Sequence, residues 1–156
     1  MGKYAVNASN FTTTTSQKTA IQLIGATGKS AEVVEAIMTG SGLAAPADIA
    51  HQAKLVTCTA ATAGTPGSSP TPEVMRQGGR AANLTAGINY TAEPTVLGTV
   101  SPVQFGFNQR GGMRWAVPRG EGERIQGDLT VKALAWTVIS QAAGAVDSNL
   151  QWWEDL

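Results

Sequence analysis

The chain has few of the side chains that most chemistry needs. It carries one cysteine, Cys58, and one histidine, His51, in 156 residues. A single thiol excludes an intrachain disulfide framework and thiolate metal clusters. A single imidazole leaves little for acid–base or metal chemistry, so no cofactor and no metal site is expected. Charge is also scarce. Charged residues make up 14% of the chain, against ~25% in an ordinary soluble domain. Eleven Lys and Arg cancel eleven Asp and Glu, so the basic excess that phosphate-driven nucleic-acid binding requires is missing. No apolar run reaches the ~18 residues of a membrane-spanning helix. The opening Met1-Gly2-Lys3-Tyr4-Ala5-Val6-Asn7 is too polar for a secretory signal. Neither nucleic acid nor membrane is an expected partner.

What the chain does have is turn formers and alternating strands. The 18 Gly and seven Pro exceed average usage and imply short elements joined by many turns. The length suits one domain over residues 1–156. Lys3 to Ala8 and Phe11 to Ser16 read as extended. Lys18 to Ile24 alternates with Ile21 and Leu23 on the more apolar side, and Gly25-Ala26-Thr27-Gly28 follows as a turn. Ser30 to Met38 fits either a capped helix or a strand; strand neighbours favour strand, which makes residues 18–38 a predicted hairpin. Ala53 to Thr62, Val100 to Phe107, Met113 to Val117, Leu129 to Trp136 and Leu150 to Asp155 alternate likewise. Val103, Phe105 and Phe107 share one face and so do Met113, Trp115 and Val117, which predicts a second hairpin around Asn108-Gln109-Arg110-Gly111-Gly112. Ala61 to Pro72, with three prolines, reads as a hairpin excursion, and residues 73–94 as irregular chain. Many short strands between turns make the predicted fold an all-β antiparallel sandwich or barrel.

Each motif with a chemical reading has a blander one. Gly25-Ala26-Thr27-Gly28-Lys29-Ser30 resembles a phosphate-cradling loop, but Leu23 stands where its first glycine belongs. The turn reading wins. Asp48, His51 and Ser41 lie near one another, yet no G-x-S-x-G elbow exists, and His51 reads as a loop histidine. Glu32 with Glu35, and Glu121 with Glu123, read as solvated pairs. Trp115 and Trp136 sit in apolar alternation and read as core. The adjacent Trp152 and Trp153 must face opposite sides of a strand. Either both sides are covered by the chain itself, or one indole anchors another subunit; a sugar-stacking platform is a third reading. Arg110, Arg114, Arg119 and Arg124 cluster in the second half, with Arg76 and Arg80 in the long loop. They read as a solvated face or as a match for an acidic protein surface.

One stretch carries a family resemblance. Asn89-Tyr90-Thr91-Ala92-Glu93-Pro94-Thr95, followed by Phe107-Asn108-Gln109-Arg110-Gly111-Gly112-Met113-Arg114-Trp115-Ala116-Val117-Pro118-Arg119-Gly120, resembles a family of small tailed-phage virion proteins. Tyr4-Ala5-Val6, Lys18-Thr19-Ala20-Ile21-Gln22-Leu23 and Ala45-Pro46-Ala47-Asp48 are similar to it too. The resemblance spans residues 3–124 loosely and lapses after 125, where Asp128 to Trp136 and the terminal Gln151 to Leu156 depart from the family pattern. It implies a capsid decoration, or cement, protein: a jelly-roll β-sandwich, a homotrimer, made in the host cytoplasm and seated on the outer surface of a phage capsid against the major capsid protein. On that reading the protein is not an enzyme, and Arg110, Arg114, Trp152 and Trp153 are the expected contact residues. The rival expectations are a carbohydrate- or receptor-binding module and a tail or neck subunit.

Overall fold

A computed structural model describes residues 2–41, 48–59, 64–96, 101–125 and 132–154. Expectations for Ala45 to Ala47, Ala60 to Ala63, Val100, Asp128 to Val131 and Asp155 fall outside these residues. Among the described residues there is no helix. The strands are β1 (Gly2–Thr13), β2 (Lys18–Ile24), β3 (Ala31–Gly40), β4 (Ala50–Thr59), β5 (Glu73–Val74), β6 (Thr85–Ile88), β7 (Val103–Asn108), β8 (Gly112–Ala116), β9 (Glu123–Ile125), β10 (Lys132–Ser140) and β11 (Gly144–Glu154).

They form two antiparallel sheets. Sheet one runs β5-β1-β11-β3-β8, with β9 also on β3; sheet two runs β6-β2-β10-β4-β7. The pairings are nested: β4 with β7, β3 with β8, β2 with β10, β1 with β11. The chain thus behaves as one long folded-back ribbon. Rolling that ribbon adds the pairs β11 with β3 and β10 with β4. Eight strands rolled in this way are a jelly roll. Residues 132–154, where the family pattern lapses, supply β10 and β11, the middle strand of each sheet.

Alternation explains the packing. On β11, Val146, Ser148, Leu150, Trp152 and Glu154 are buried, while the residues between them are half-exposed. Tyr4, Val6, Ile21, Leu23, Val33, Met38, Leu55, Trp136, Leu150 and Trp152 fill the space between the sheets. Phe11 stays on the inward face beyond a bulge at Asn10, whose φ of 52° lies in the left-handed region. The Asp147 carboxylate accepts the Asn10 N–H at 2.6 Å and holds the bulge. The two segments expected around it are therefore one strand, β1.

Both predicted hairpins are corrected. β2 and β3 are consecutive but lie in different sheets, and so do β7 and β8. Their turns pass from one sheet to the other instead of joining paired strands. The expected faces hold: Val103 is buried, and Phe107, Met113 and Trp115 pack against the core. Phe105, on the edge strand β7, stays 40% exposed.

A second apolar cluster lies on the outside of sheet two: Val56, Cys58, Ala133 and Ala135, with Ile24 beside them. The chain covers this face itself. Residues 64–68 pair with 88–92, through Ser68 with Ile88 and Thr65 with Ala92, and Val96 pairs with Cys58. The Tyr90 hydroxyl donates to Gln22 Oε1, and Gln22 Nε2 donates to Cys58 Sγ at 3.0 Å. The Glu93 carboxylate takes the Thr19 N–H at 2.6 Å and the Lys18 ammonium at 2.9 Å. This stretch, read from sequence as irregular, also carries the short strands β5 and β6. Burial pushes the Cys58 thiol up to about 11 and the Tyr90 phenol up to about 12, so both stay neutral near pH 7.

Candidate functional site

The outward face of sheet one has a different composition. Register places Lys3 beside Trp153, and Trp153 beside Glu32. One row along, Ala5, Gln151 and Glu35 stand side by side. Beyond them Asn149 Nδ2 donates to Asn7 Oδ1 at 2.7 Å, and Gln151 Nε2 donates to Asn149 Oδ1 at 3.1 Å. Gln151 Oε1 has no hydrogen-bond partner among the described residues. The face is a polar sheet surface with one indole near its end.

The two adjacent tryptophans separate as alternation demands. Trp152 is fully buried and stacks against Tyr4, with ring centroids 6.0 Å apart. It presents no surface to a docked partner. Trp153 points outward and is half-buried. The Arg119 guanidinium sits 5.7 Å from its ring centroid, in cation–π range.

Two concavities meet at Trp153. One, of about 540 Å³, is lined by Ser30, Glu32, Arg119, Arg124 and Trp153 among others. The second, of about 690 Å³, includes Lys3, Val74, Met75, Arg76, Arg80 and Trp153. Their walls are pinned by carboxylates. Glu32 Oε1 accepts the N–H groups of Gly120 and Gly122, each at 2.7 Å, and fixes the loop that carries Arg119. Gly120, at φ 97°, needs the freedom of glycine there. On the other side the fully buried Glu154 accepts the Asn83 N–H at 2.7 Å, the Leu84 N–H at 3.1 Å and Trp152 Nε1–H at 3.0 Å. The Tyr4 hydroxyl donates to the Arg80 carbonyl at 3.1 Å. Burial raises the Tyr4 pKa, and the Glu154 charge adds to that. These bonds tie the segment bearing Arg80 to the end of sheet one.

The remaining expected residues lie elsewhere. Arg114 shares the outward face of sheet one, where it meets Glu35 at 2.7 Å; Lys3 reaches the same carboxylate at 4.0 Å. Arg110 is on the β7–β8 turn, 3.4 Å from Asp48. That turn adjoins the Thr39 end of β3, whereas Trp153 pairs near the opposite end, at Glu32. Seven residues of strand separate them, roughly 23 Å. Arg110 and Trp153 therefore do not form one site. Glu32 and Glu35 have separate partners, the Gly120 and Gly122 N–H groups for one and Arg114 with Lys3 for the other.

His51 is a correction: it lies in β4 and is buried, not in a loop. Its Nε2 meets Gln109 Oε1, which only accepts, so Nε2 carries the proton; Nδ1 then accepts from Ser140 Oγ at 2.6 Å. Gln109 Nε2 donates onward to the Ala145 carbonyl at 2.7 Å. His51 also stacks on Phe107. All three polar side chains are buried; the Ser140–His51 contact bridges paired strands of sheet two, and Gln109 carries the network across to β11 of sheet one. Burial holds the His51 pKa below its ordinary value. The Gly25 to Ser30 segment is the β2–β3 crossing, with Gly28 at φ 70°, a turn as expected. No group of three or more His, Cys, Asp or Glu among the described residues is arranged to hold a metal ion. No helix there is long and apolar enough to cross a membrane.

Comparison with known proteins adds little. No family model matches the chain, and no curated protein matches it. Among solved structures, 97% of the chain aligns with the VP2 subviral particle of infectious bursal disease virus, at a TM-score of 0.18 and 13% identity. The structure of that virus's Gx strain aligns at a TM-score of 0.15 and 13% identity. The chain spans about 40% of the first of these chains and 38% of the second. Likenesses of that size carry no argument about function.

Proposed function

We propose that the chain is a structural virion protein, a decoration or cement protein that binds the outside of a phage capsid as a homotrimer and stabilises the shell. The observation that carries this reading is the unequal treatment of the two outward faces. The apolar outside of sheet two is buried, with residues 64–68 and 88–96 paired beside it and Tyr90 bonded across it through Gln22 to Cys58. At its Trp153 end the outside of sheet one opens instead into two concavities lined by cations. A polar face with an aromatic near its end suits a surface that waits in water and then takes a protein partner.

The mechanism is mechanical. A protein that binds only the assembled or expanded lattice adds its binding free energy to that state alone. Repetition over a symmetric shell multiplies weak contacts through effective concentration. The test is the native mass of the purified chain, expected at three copies of 16.1 kDa, followed by co-sedimentation with unexpanded and expanded shells that lack it. Binding to expanded shells is the expected result. A monomer that sediments with neither shell overturns the proposal. Saturable binding to a glycan array would favour the receptor-binding rival. The Arg119 guanidinium beside the Trp153 ring argues against that rival, since it stands where a sugar would stack.

A further inference from the structure

The cations of this net-neutral chain are not spread evenly. Five of its eleven, Lys3, Arg76, Arg80, Arg119 and Arg124, line the two concavities that meet at Trp153. The one carboxylate among the lining residues, Glu32, is already engaged by the Gly120 and Gly122 N–H groups. Among the described residues Arg76, Arg80 and Arg124 have no ion-pair partner. Beside the cations the larger concavity exposes apolar surface: Met75 is 49% exposed and Val74 lines the wall.

We infer that the Trp153 saddle binds a short acidic protein segment, its carboxylates on the arginines of both concavities and an aliphatic side chain against Met75 and Val74. Charge complementarity selects the occupant. Planar guanidinium groups take carboxylates in paired hydrogen bonds, and an indole edge and a thioether take the apolar part. A long polyanion fits worse, because Glu73 and Glu35 lie in the adjacent row of the sheet and bound the basic patch. A neutral sugar fits worse, because Arg119 occupies the ring of Trp153. The inference deepens the shell-docking proposal and rests on it only for which protein carries the segment.

The test measures binding of a fluorescein-labelled oligoglutamate peptide with one central leucine to the full chain at low salt. A heparin-derived sulfated oligosaccharide serves as the second arm. Saturable peptide binding is expected, weaker as salt rises. Arg76→Glu/Arg80→Glu should weaken it by at least ~30-fold, while the charge-matched Lys29→Glu/Lys54→Glu leaves it within ~3-fold. Melting curves check that each variant is folded; if the Arg76/Arg80 variant is not, Arg124→Glu on the other wall replaces it, with a loss of ~10-fold expected. The inference is overturned if the peptide does not saturate, if reversal of the arginines leaves its affinity unchanged, or if the oligosaccharide binds more tightly. Shell co-sedimentation of the same variants keeps the two proposals apart. A variant that loses the peptide but still binds shells leaves the acidic-segment site standing and removes it from the shell contact.

Discussion

Outside sheet two, Val56, Cys58, Ala133 and Ala135 are buried, with residues 64–68 and 88–96 packed beside them. Outside sheet one, Lys3, Gln151, Glu35 and Trp153 sit half-buried, and at Trp153 the face opens into two cation-lined concavities. Composition accounts for the difference. A β-strand shows both faces equally, so an apolar outer face must be covered by the same chain or it will associate indiscriminately. A polar outer face is stable in water and can be covered later by a chosen partner. The cover on sheet two is held by buried polar contacts, Tyr90 to Gln22 and Gln22 to Cys58. The concavities of sheet one are shaped by carboxylates that hold backbone N–H groups, Glu32 and Glu154. One set of bonds closes a surface and the other presents one.

Substitutions can break this contrast. The largest effect is expected at Trp152→Ala, which empties the core beneath the open face and should cost ~3–5 kcal/mol in denaturant unfolding. A cost below ~1 kcal/mol would mean that this indole is not the packed core residue described. Next, Tyr90→Phe removes the donor that ties the cover to sheet two and leaves buried Gln22 Oε1 unpaired. It should cost ~1–3 kcal/mol and raise the reaction rate of Cys58 with a thiol reagent. An unchanged Cys58 rate would show that the cover does not depend on this bond.

A smaller effect belongs to the joint between the sheets. Since burial depresses the folded-state pKa of His51, the unfolded chain binds its proton more readily. Stability from this group is therefore full above the unfolded value of ~6.5 and is lost as the pH falls through the window between that value and the lower, folded one. The melting temperature should drop as the pH falls below about 6.5, and His51→Gln should remove that component. An identical drop in the variant would assign it to other groups. The smallest effect on stability is expected at Trp153→Ala, under ~1 kcal/mol, although the same change should abolish partner binding. A large loss of stability there would make Trp153 an ordinary structural residue and dissolve the contrast with Trp152.

Much of this architecture is legible in the residue order, and the gaps have a common cause. Alternation alone identifies which of Trp152 and Trp153 can face inward together with Leu150, and it places Val103, Phe107, Met113 and Trp115 on core-facing sides. It does not say which sheet a strand joins, because period two is the same in either. Hence β2 with β3 and β7 with β8 read as hairpins, although the partners of β2 and β3, β10 and β11, lie about a hundred residues further along. The same alternation puts Glu154 inward beside Trp152. An inward carboxylate at a core position signals a buried, fully bonded group, and the spacing of Leu150, Trp152 and Glu154 carries that signal in the sequence itself. The site is legible in part: Trp152 and Trp153 read as facing opposite sides of a strand, and the arginines read as a cluster of Arg110, Arg114, Arg119 and Arg124 with Arg76 and Arg80 in the long loop. The convergence of Arg76, Arg80, Arg119 and Arg124 on one indole depends on the turn after β5, the β8–β9 connection and the register of β1 with β11, three distant segments that local pattern cannot bring together.

The most direct test of the account is oxidative footprinting of Trp153 and Met75, with Phe105 as reference, on the free chain and on chain bound to expanded shells. The account predicts that Trp153 and Met75 lose reactivity on binding while Phe105, on the far edge of the sandwich, keeps its own. Unchanged oxidation of Trp153 on fully occupied shells would contradict it.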